Sequence, residues 1–175
     1  VKVQKSTIQL WAEVLVATPN SKLIIKAAQL EHPEARDRIL KTFSDCGVSD
    51  SRLILMNHFA NKKEHYTSYA NVDLFLDTYP YNGTTTSIEA LFMGVPVLTL
   101  TGVTHRSRVT HSQLKAIGLD ELSVDSPDQF VAVATSLYSN RDKLGKIRKG
   151  LRKRVLESPL MDYRSYIKDY ESGLL

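Results

Sequence analysis

Cysteine, long apolar runs and the common phosphate-binding signatures are scarce or missing in this sequence. Cys46 is the only cysteine in 175 residues, which excludes a disulfide framework and a cysteine-based metal cluster and favours a reducing cytoplasm. No apolar run approaches the roughly 20 residues of a membrane span. Neither GxxxxGK followed by Ser or Thr nor GxGxxG occurs, so ATP hydrolysis and a dinucleotide site gain no support.

The composition is that of one globular domain. Hydrophobic residues make up 42% of the chain and charged residues 24%, which suits a domain with a core of its own. The net charge of +4 admits anionic ligands such as phosphates but does not demand nucleic acid. Val1 lies almost on the first predicted helix, with no leading strand, so we expect the sequence to be part of a longer protein.

Short apolar stretches alternate with amphipathic ones along the chain. The pattern predicts strands at 22–28, 52–56, 73–77 and 95–100, with a short apolar piece at 122–124. It predicts helices at 6–18, 33–46, 62–71, 85–93, 106–117, 127–139 and 141–156, and a last helix that begins near Asp162. Strands that alternate with helices through short connections predict an α/β fold. We expect a parallel sheet with helices on both faces, plus C-terminal helices.

Three consecutive threonines follow the third predicted strand. In a parallel sheet, ligands bind beyond the carboxyl ends of the strands. Asn82 and Gly83 predict a tight turn with positive φ at this end. Thr84, Thr85 and Thr86 then fall on the cap and first turn of the next helix, where unpaired N–H groups and a partial positive charge attract anions.

Glu89 lies one turn further along the same predicted helix. A carboxylate there can accept hydrogen bonds from the two hydroxyls of a ribose, so the segment predicts a nucleoside diphosphate site. Helix capping explains the same residue types, since Ser and Thr are ordinary caps and Glu is common in a first turn. Both interpretations stay open on residue types alone, although three threonines exceed what capping needs.

Three stretches of the sequence resemble one enzyme family. They are "LDTYPYNGTTTSIEALFMGVPVLTL", "SRVTHSQLKAIGLDEL" and "SPLMDYRSY", and they are similar to the catalytic C-terminal half of the O-GlcNAc transferase/SPINDLY family. These are GT-B glycosyltransferases with two facing Rossmann-like domains, usually preceded by tetratricopeptide repeats. The resemblance implies that residues 1–157 form the second, donor-binding Rossmann-like domain. It implies that residues 158–175 form a C-terminal helix that crosses to the missing N-terminal domain.

The resemblance also implies which residues bind the nucleotide-sugar donor. In that family a lysine, here Lys2, and a threonine pair contact the diphosphate. The loop "FANKKEH" holds the base, a histidine packs near base and ribose, and an acidic residue binds the ribose. The implied donor-binding residues are Lys2, Ala60, Lys62, His65, Gly83, Thr84, Thr85, Thr86 and Glu89.

Two positions depart from the O-GlcNAc transferase pattern. Thr84 stands where those enzymes have a histidine, and Ser87 stands where they have a glycine. The motif "GTTT" with a following glutamate is closer to the SPINDLY branch, some members of which use GDP-fucose. The resemblance therefore implies UDP-GlcNAc or another UDP-hexose as the first candidate donor and GDP-fucose as the second.

The family's reaction passes the sugar to a Ser or Thr hydroxyl of a protein with inversion. We expect no cofactor and no metal, because no DxD motif lies in a plausible loop and no His/Asp cluster has ligand spacing. We expect Asp73 and Asp77 to bond loop amides instead. Catalytic and acceptor-side residues are expected on the missing domain, so this chain alone should bind donor weakly and not turn over.

A basic stretch at 140–159 supports a competing class of function. Its lysines and arginines are of the kind that bind nucleic acid or an acidic membrane, which would make the chain a binding module. The apolar residues recur with a helical period, at Leu144, Ile147, Leu151 and Val155, which favours an amphipathic helix packed on the sheet. A nucleotide-sugar epimerase of the same GT-B architecture is a third alternative.

Overall fold

The computed structural model describes residues 3–57 and 61–174. Within these ranges the α-helices are α1 (Lys5–Ala17), α2 (Pro33–Asp45), α3 (Lys62–Ser68), α4 (Thr85–Phe92), α5 (Val109–Ala116), α6 (Pro127–Ser139), α7 (Arg141–Leu156) and α8 (Tyr163–Ser172). The strands are β1 (Leu23–Lys26), β2 (Leu53–Met56), β3 (Phe75–Leu76), β4 (Val97–Leu100) and β5 (Ser123–Val124).

All strand pairs are parallel, as the alternating sequence pattern predicts. β1 pairs with β2, with Leu23 opposite Leu53. β4 lies between β3 and β5, with Phe75 opposite Val97 and Thr99 opposite Ser123. The expected single sheet is wrong in one respect, because within the described ranges these strands form two separate ladders, β1–β2 and β3–β4–β5.

Helices cover both faces of the three-stranded ladder, which confirms the predicted layering. Successive side chains of a strand point to opposite faces, and β4 shows this directly. Leu98 and Leu100 pack into a core built mainly from α1, α2 and α6. Val97 packs into a second core built mainly from α4, α5 and α7. β4 is therefore buried on both faces, as the central strand of a parallel sheet should be.

The predicted helix ends agree best where a glycine stops the helix. Gly47, Gly94 and Gly118 have φ of 79°, 79° and 65°, the left-handed conformation that favours glycine after a helix. The bounds of α6 and α7 are as predicted. Two predicted helices are shorter, because 69–71 and 105–107 form tight 3-10 turns beside α3 and α5.

The basic helix α7 packs on the domain through its apolar stripe. Leu144, Leu151 and Val155 are buried, which confirms the amphipathic interpretation. One of its arginines, Arg148, donates to the carbonyl oxygens of Val72 and Asp73 at 2.5 and 3.0 Å. Arg148 thus anchors α7 to the entry of β3.

No helix in the described ranges is long and apolar enough to cross a membrane.

Candidate functional site

A buried aspartate organises the loop between β3 and α4. Asp77 is 2% exposed. Its Oδ1 accepts hydrogen bonds from the backbone N–H groups of Thr78 and Gly83 at 2.8 and 2.7 Å, and its Oδ2 accepts from the Thr99 hydroxyl at 2.8 Å. The expectation that Asp77 bonds loop amides is confirmed. Its carboxylate ties the end of β3 to the start of α4 and to β4.

Burial raises the pKa of the Asp77 carboxyl above its ordinary value. Hydrogen bonds from the Thr99 hydroxyl and from the Gly83 and Thr78 amides oppose that rise by stabilising the anion. The Thr110 hydroxyl donates to the Gly83 carbonyl at 3.0 Å. The loop that precedes α4 is therefore held on both sides by buried polar contacts.

Gly83 is required for close approach and not for an unusual backbone angle. The expected positive φ at this glycine is wrong, because Gly83 is not among the residues with positive φ. A Cβ atom at this position would lie 2.1 Å from the Ser87 hydroxyl oxygen and 3.3 Å from Asp77 Oδ1. The absent side chain lets the turn pack directly on α4, which sets where the first turn of that helix points.

The threonine hydroxyls at the start of α4 are not used to cap the helix. Thr84 is the N-cap residue, yet its side chain makes no capping hydrogen bond. Its backbone oxygen instead accepts from Ile88 N–H at 3.2 Å and from the Gln113 side chain at 3.0 Å. Thr84, Thr85 and Thr86 are all exposed. The amides and hydroxyls of this first turn therefore face solvent at the carboxyl end of the three-stranded ladder.

His65 and Glu89 form a hydrogen-bonded pair on the same side of the site. His65 Nε2 lies 3.1 Å from Glu89 Oε2, with both side chains about one-quarter exposed. Glu89 is four residues from Thr85 and three from Thr86, spacings that share one helix face. The structure thus brings together His65, Glu89 and the first turn of α4.

Lys26 completes this cluster, and the sequence patterns did not single it out. Its ammonium contacts His65 Nδ1. A protonated lysine only donates hydrogen bonds, so Nδ1 accepts and Nε2 carries the proton that His65 donates to Glu89. Burial lowers the pKa of Lys26, and the nearby Glu89 carboxylate opposes that shift. The signal that could have found it is its position as the last residue of an apolar strand, "LIIK".

Tyr69 forms the wall behind the imidazole. Its ring lies edge-on to His65 with centroids 5.4 Å apart, and the residue is 5% exposed. Burial, with the Glu89 and Tyr66 groups nearby, raises the pKa of Tyr69 to about 12. The phenol of Tyr69 therefore stays neutral near neutral pH.

Lys62 of the implied donor set does not join this cluster in the structure. Lys2 and Ala60 lie outside the described residues. Lys62 is exposed in the first turn of α3, next to Asn61, whose side chain caps that helix by accepting from Lys63 N–H at 2.8 Å. The structure leaves the Lys62 side chain in solvent.

Other polar residues near the strand ends make structural contacts. Arg108 donates to the Gly102 carbonyl at 3.1 Å. His111 Nδ1 lies 2.9 Å from the Ser123 hydroxyl. Within residues 3–57 and 61–174, no three His, Cys, Asp or Glu side chains are arranged to hold a metal ion.

A cavity of about 1080 Å³ opens beside the cluster. Lys26, Thr78, Gly83 and Thr86 line its wall at the carboxyl ends of the strands. Thr86 of α4 lines this cavity, whereas His65 and Glu89 are not among its lining residues. Helix amides and hydroxyls are groups that can hold a diphosphate, and a carboxylate can accept hydrogen bonds from ribose hydroxyls. The arrangement can hold a ligand with an anionic centre and a diol about one helix turn apart.

Comparisons with known proteins identify the family of this chain. A model of glycosyl transferase family 41 matches residues 1–170. A barley (Hordeum vulgare) protein named as a probable UDP-N-acetylglucosamine–peptide N-acetylglucosaminyltransferase SPINDLY is 35% identical over 98% of this chain and 18% of its own length. The Caenorhabditis elegans UDP-N-acetylglucosamine–peptide N-acetylglucosaminyltransferase is 32% identical over 99% of this chain and 15% of its own length.

A solved structure extends the likeness to the fold. A mutant of the Thermobaculum terrenum O-GlcNAc transferase superposes with a TM-score of 0.92 at 32% identity, over 99% of this chain and 33% of that one. The chain thus spans less than a fifth of the two relatives named above and a third of the solved structure. The chain belongs to glycosyl transferase family 41.

Proposed function

We propose that this chain is the donor-binding domain of an inverting glycosyltransferase that transfers a sugar from a nucleotide to Ser or Thr of proteins. The observation that carries the proposal is the first turn of α4, where exposed threonine hydroxyls lie free of capping bonds. Helix capping no longer explains them, so a ligand with phosphate groups is the better explanation.

In this proposal α4 stabilises the leaving group of the reaction, which is the nucleoside diphosphate. As the bond between sugar and diphosphate breaks, negative charge grows on the diphosphate. The amides of the first turn and the hydroxyls of Thr85 and Thr86 stabilise that charge without a metal ion, and Lys2 and the Thr84 hydroxyl add to it. Glu89 binds the ribose, and His65, with Lys62 and Ala60, lies against the base.

The nucleotide of the proposed donor is either UDP or GDP, and UDP-GlcNAc is the first candidate donor. The names of the plant and nematode relatives specify UDP-N-acetylglucosamine. The "GTTT" motif and Glu89 keep GDP-fucose as the second choice. The acceptor protein and the groups that bind it belong to the remainder of the enzyme, which we place in the cytoplasm because the chain has a single free cysteine.

The C-terminal segment 158–175 is proposed to pack on the N-terminal catalytic domain. Tyr163, Tyr166, Ile167 and Tyr170 of α8 are between 48% and 69% exposed. Such a row of large apolar side chains on one helix marks a contact surface. Replacing Tyr166 and Tyr170 with Ser should lower the melting temperature of the intact enzyme. An unchanged melting temperature and an unchanged KM would contradict this assignment.

Calorimetric titration with UDP, GDP and UDP-GlcNAc tests the donor site. We expect one nucleotide to bind selectively. The Thr85→Val/Thr86→Val double variant should lose about tenfold or more in affinity per hydroxyl, since each hydrogen bond to a charged group contributes about 1.5–3 kcal/mol. The matched control is Thr42→Val, a half-buried helical threonine on α2 whose hydroxyl donates to the Arg38 carbonyl. Equal affinity of both variants for the nucleotide would overturn the proposal.

A further inference from the structure

Two side chains of α5 bind consecutive carbonyl groups at the start of α4. The Thr110 hydroxyl donates to the Gly83 carbonyl oxygen at 3.0 Å. The Gln113 side-chain amide donates to the Thr84 carbonyl oxygen, also at 3.0 Å. Residues three positions apart on a helix share a face, so both side chains reach α4 from one face of α5. We call Thr110 and Gln113 the α5 pair.

The two contacts fix the directions of two backbone amides. In a planar trans peptide unit, the C=O group and the following N–H group point in opposite directions. In the described ranges only the bond between Tyr79 and Pro80 is cis, so the peptide units after Gly83 and Thr84 are trans. Their carbonyls point toward α5. The N–H groups of Thr84 and Thr85 therefore point away from α5, on residues that are exposed to solvent.

The direction of these amides matters because they open the proposed diphosphate site. Successive N–H groups that point to one side form a concave site for an anion. Thr84 has φ of −121° and ψ of −82°, outside the helical and extended ranges. Contacts from α5 therefore help to set the orientation of this peptide unit, in addition to the hydrogen bond from Ile88 N–H within α4.

The Gln113 amide contributes little to the stability of the fold. Its Nε2 donates to Thr84, but its Oε1 is buried and has no hydrogen-bond partner in the part of the chain that the structure describes. A buried acceptor without a partner costs about as much free energy as one hydrogen bond contributes. Turning the amide over would place Oε1 against the Thr84 carbonyl oxygen, and neither oxygen can donate. Stability alone thus gives no reason for an amide at this position.

We propose that Thr110 and Gln113 are positioning residues that aim the Thr84 and Thr85 amides at the diphosphate of the donor. The inference rests on the proposed function. Each member of the α5 pair acts through the backbone carbonyl that it binds and does not touch the donor. Loss of either contact should therefore weaken binding of the diphosphate and leave binding of the nucleoside unchanged.

Gln113→Met tests the amide contact. Met has a similar length, but it donates no hydrogen bond, and it removes the unpartnered acceptor together with the donor. In the intact enzyme, calorimetry should show at least about fivefold weaker binding of UDP, or of GDP if that is the nucleotide bound. The affinity for uridine or guanosine, measured by NMR titration, should stay within about twofold of the native value. The urea midpoint should stay within about 0.3 M of the native one.

Gln129→Met is the matched control for this variant. The Gln129 side chain also makes a hydrogen bond at the start of a helix, since its Oε1 accepts from Asp125 N–H at 3.1 Å at the entry of α6. Gln129→Met should leave the affinities for both diphosphate and nucleoside unchanged.

A pair of substitutions at Thr110 separates positioning from packing. Thr110→Val keeps the shape of the side chain but removes the hydroxyl, whereas Thr110→Ser keeps the hydroxyl and removes a methyl group. Thr110 is 0% exposed, so both variants should lower stability. Only Thr110→Val should weaken binding of the diphosphate, by at least about fivefold, and Thr110→Ser should stay within about twofold of the native enzyme.

Three results would overturn the positioning role and leave the donor site intact. They are native affinity for UDP and GDP in Gln113→Met, equal losses for diphosphate and nucleoside in that variant, and equal losses of diphosphate affinity in Thr110→Val and Thr110→Ser. A different result would refute the donor site itself, and the role of the α5 pair with it. That result is failure of both UDP and GDP to bind the native intact enzyme.

Discussion

The two ladders of this domain differ in how completely they are covered. All four residues of β4 are buried, whereas β1 has one buried residue and β2 none. Parallel strands depend on burial of both faces and on partners at both edges. β4 has both, and β1 has a partner at one edge only within the described ranges. The comparison shows that β4, on the α4 side of the proposed donor site, is more completely buried and paired than β1 on the other side.

The α4 side also has more buried polar contacts than the β1 side. On the α4 side, Asp77 satisfies two amides and a hydroxyl from three segments. On the β1 side, the Lys26 side chain reaches across to His65. Variants on each side can therefore test whether the α4 side contributes more to the stability of the domain than the β1 side.

The largest effect should come from Asp77→Ala. Three buried donors, the amides of Thr78 and Gly83 and the Thr99 hydroxyl, would lose their acceptor. Each orphaned donor costs about 1–3 kcal/mol, so the free energy of unfolding should fall by about 3 kcal/mol or more. Urea denaturation measures this directly. The control Asp73→Ala removes an exposed carboxylate at the entry of β3 and should change stability by about 0.5 kcal/mol or less.

Apolar truncations compare the two ladders themselves. Leu98→Ala in β4, where the side chain is 0% exposed, should cost about 3 kcal/mol in unfolding free energy. Ile54→Ala in β2, where the side chain is 40% exposed, should cost about 1 kcal/mol or less. Equal losses of unfolding free energy in urea denaturation would mean that both ladders are equally well packed, which would contradict this comparison.

A glycine pair tests the tight turn before α4. Gly83→Ala places a Cβ atom against the Ser87 hydroxyl, so we expect a loss of about 2 kcal/mol in thermal or urea unfolding. Gly145→Ala in α7 meets nothing within 4 Å and should stabilise the helix by about 0.5–1 kcal/mol. Combining Gly83→Ala with Ser87→Ala should recover part of the loss. No recovery would indicate that backbone geometry, and not this contact, requires the glycine.

Much of this fold could be predicted from the sequence because its signals are local. Alternating apolar runs give the order of elements, and Gly47, Gly94 and Gly118 mark helix ends. The split between the ladders could not be predicted, since strand pairing depends on which segments are present to fill each edge. The role of Gly83 was also missed, because a contact with Ser87 looks the same in sequence as a turn that needs positive φ.

The site shows the same division between local and long-range information. Glu89 and the threonines share one helix, so helical periodicity brings them together in sequence reasoning. Lys26 lies 39 residues from His65, and only the tertiary fold reveals their contact. Asp77 was expected to bond loop amides, but its bond to Thr99 depends on the pairing of β3 with β4.

Lys26→Met tests the contact that joins β1 to the α4 side. Without the ammonium, His65 is no longer held with Nε2–H toward Glu89. Glu89 then loses its orientation toward the ribose that we propose it binds. We expect nucleotide affinity to fall about fivefold, or about 1 kcal/mol, with most of the preference for ribose over 2′-deoxyribose lost. Calorimetry with both nucleotides measures the ratio. Lys22→Met, exposed just before β1, is the control. An unchanged ratio in Lys26→Met would make this lysine merely structural.

The last comparison concerns the pH dependence that Asp77 contributes to stability. Its pKa is raised in the folded chain, chiefly by burial. The unfolded carboxyl ionises near about pH 3.9, while the folded one keeps its proton to a higher pH. The contribution to stability is therefore full below about pH 4 and declines as the pH rises through the folded pKa. The decline amounts to about 1.4 kcal/mol for each pH unit that separates the folded pKa from the unfolded one.

Asp77→Asn removes this titration while it keeps the shape of the side chain. The difference in unfolding free energy between the native chain and Asp77→Asn should shrink as the pH rises from about 4 toward neutrality, measured by urea denaturation at each pH. A difference that grows with pH would mean that the hydrogen bonds from Gly83, Thr78 and Thr99 outweigh burial. The folded pKa would then be depressed, and the α4 side would hold a stable buried anion directly behind the turn that we assign to the diphosphate.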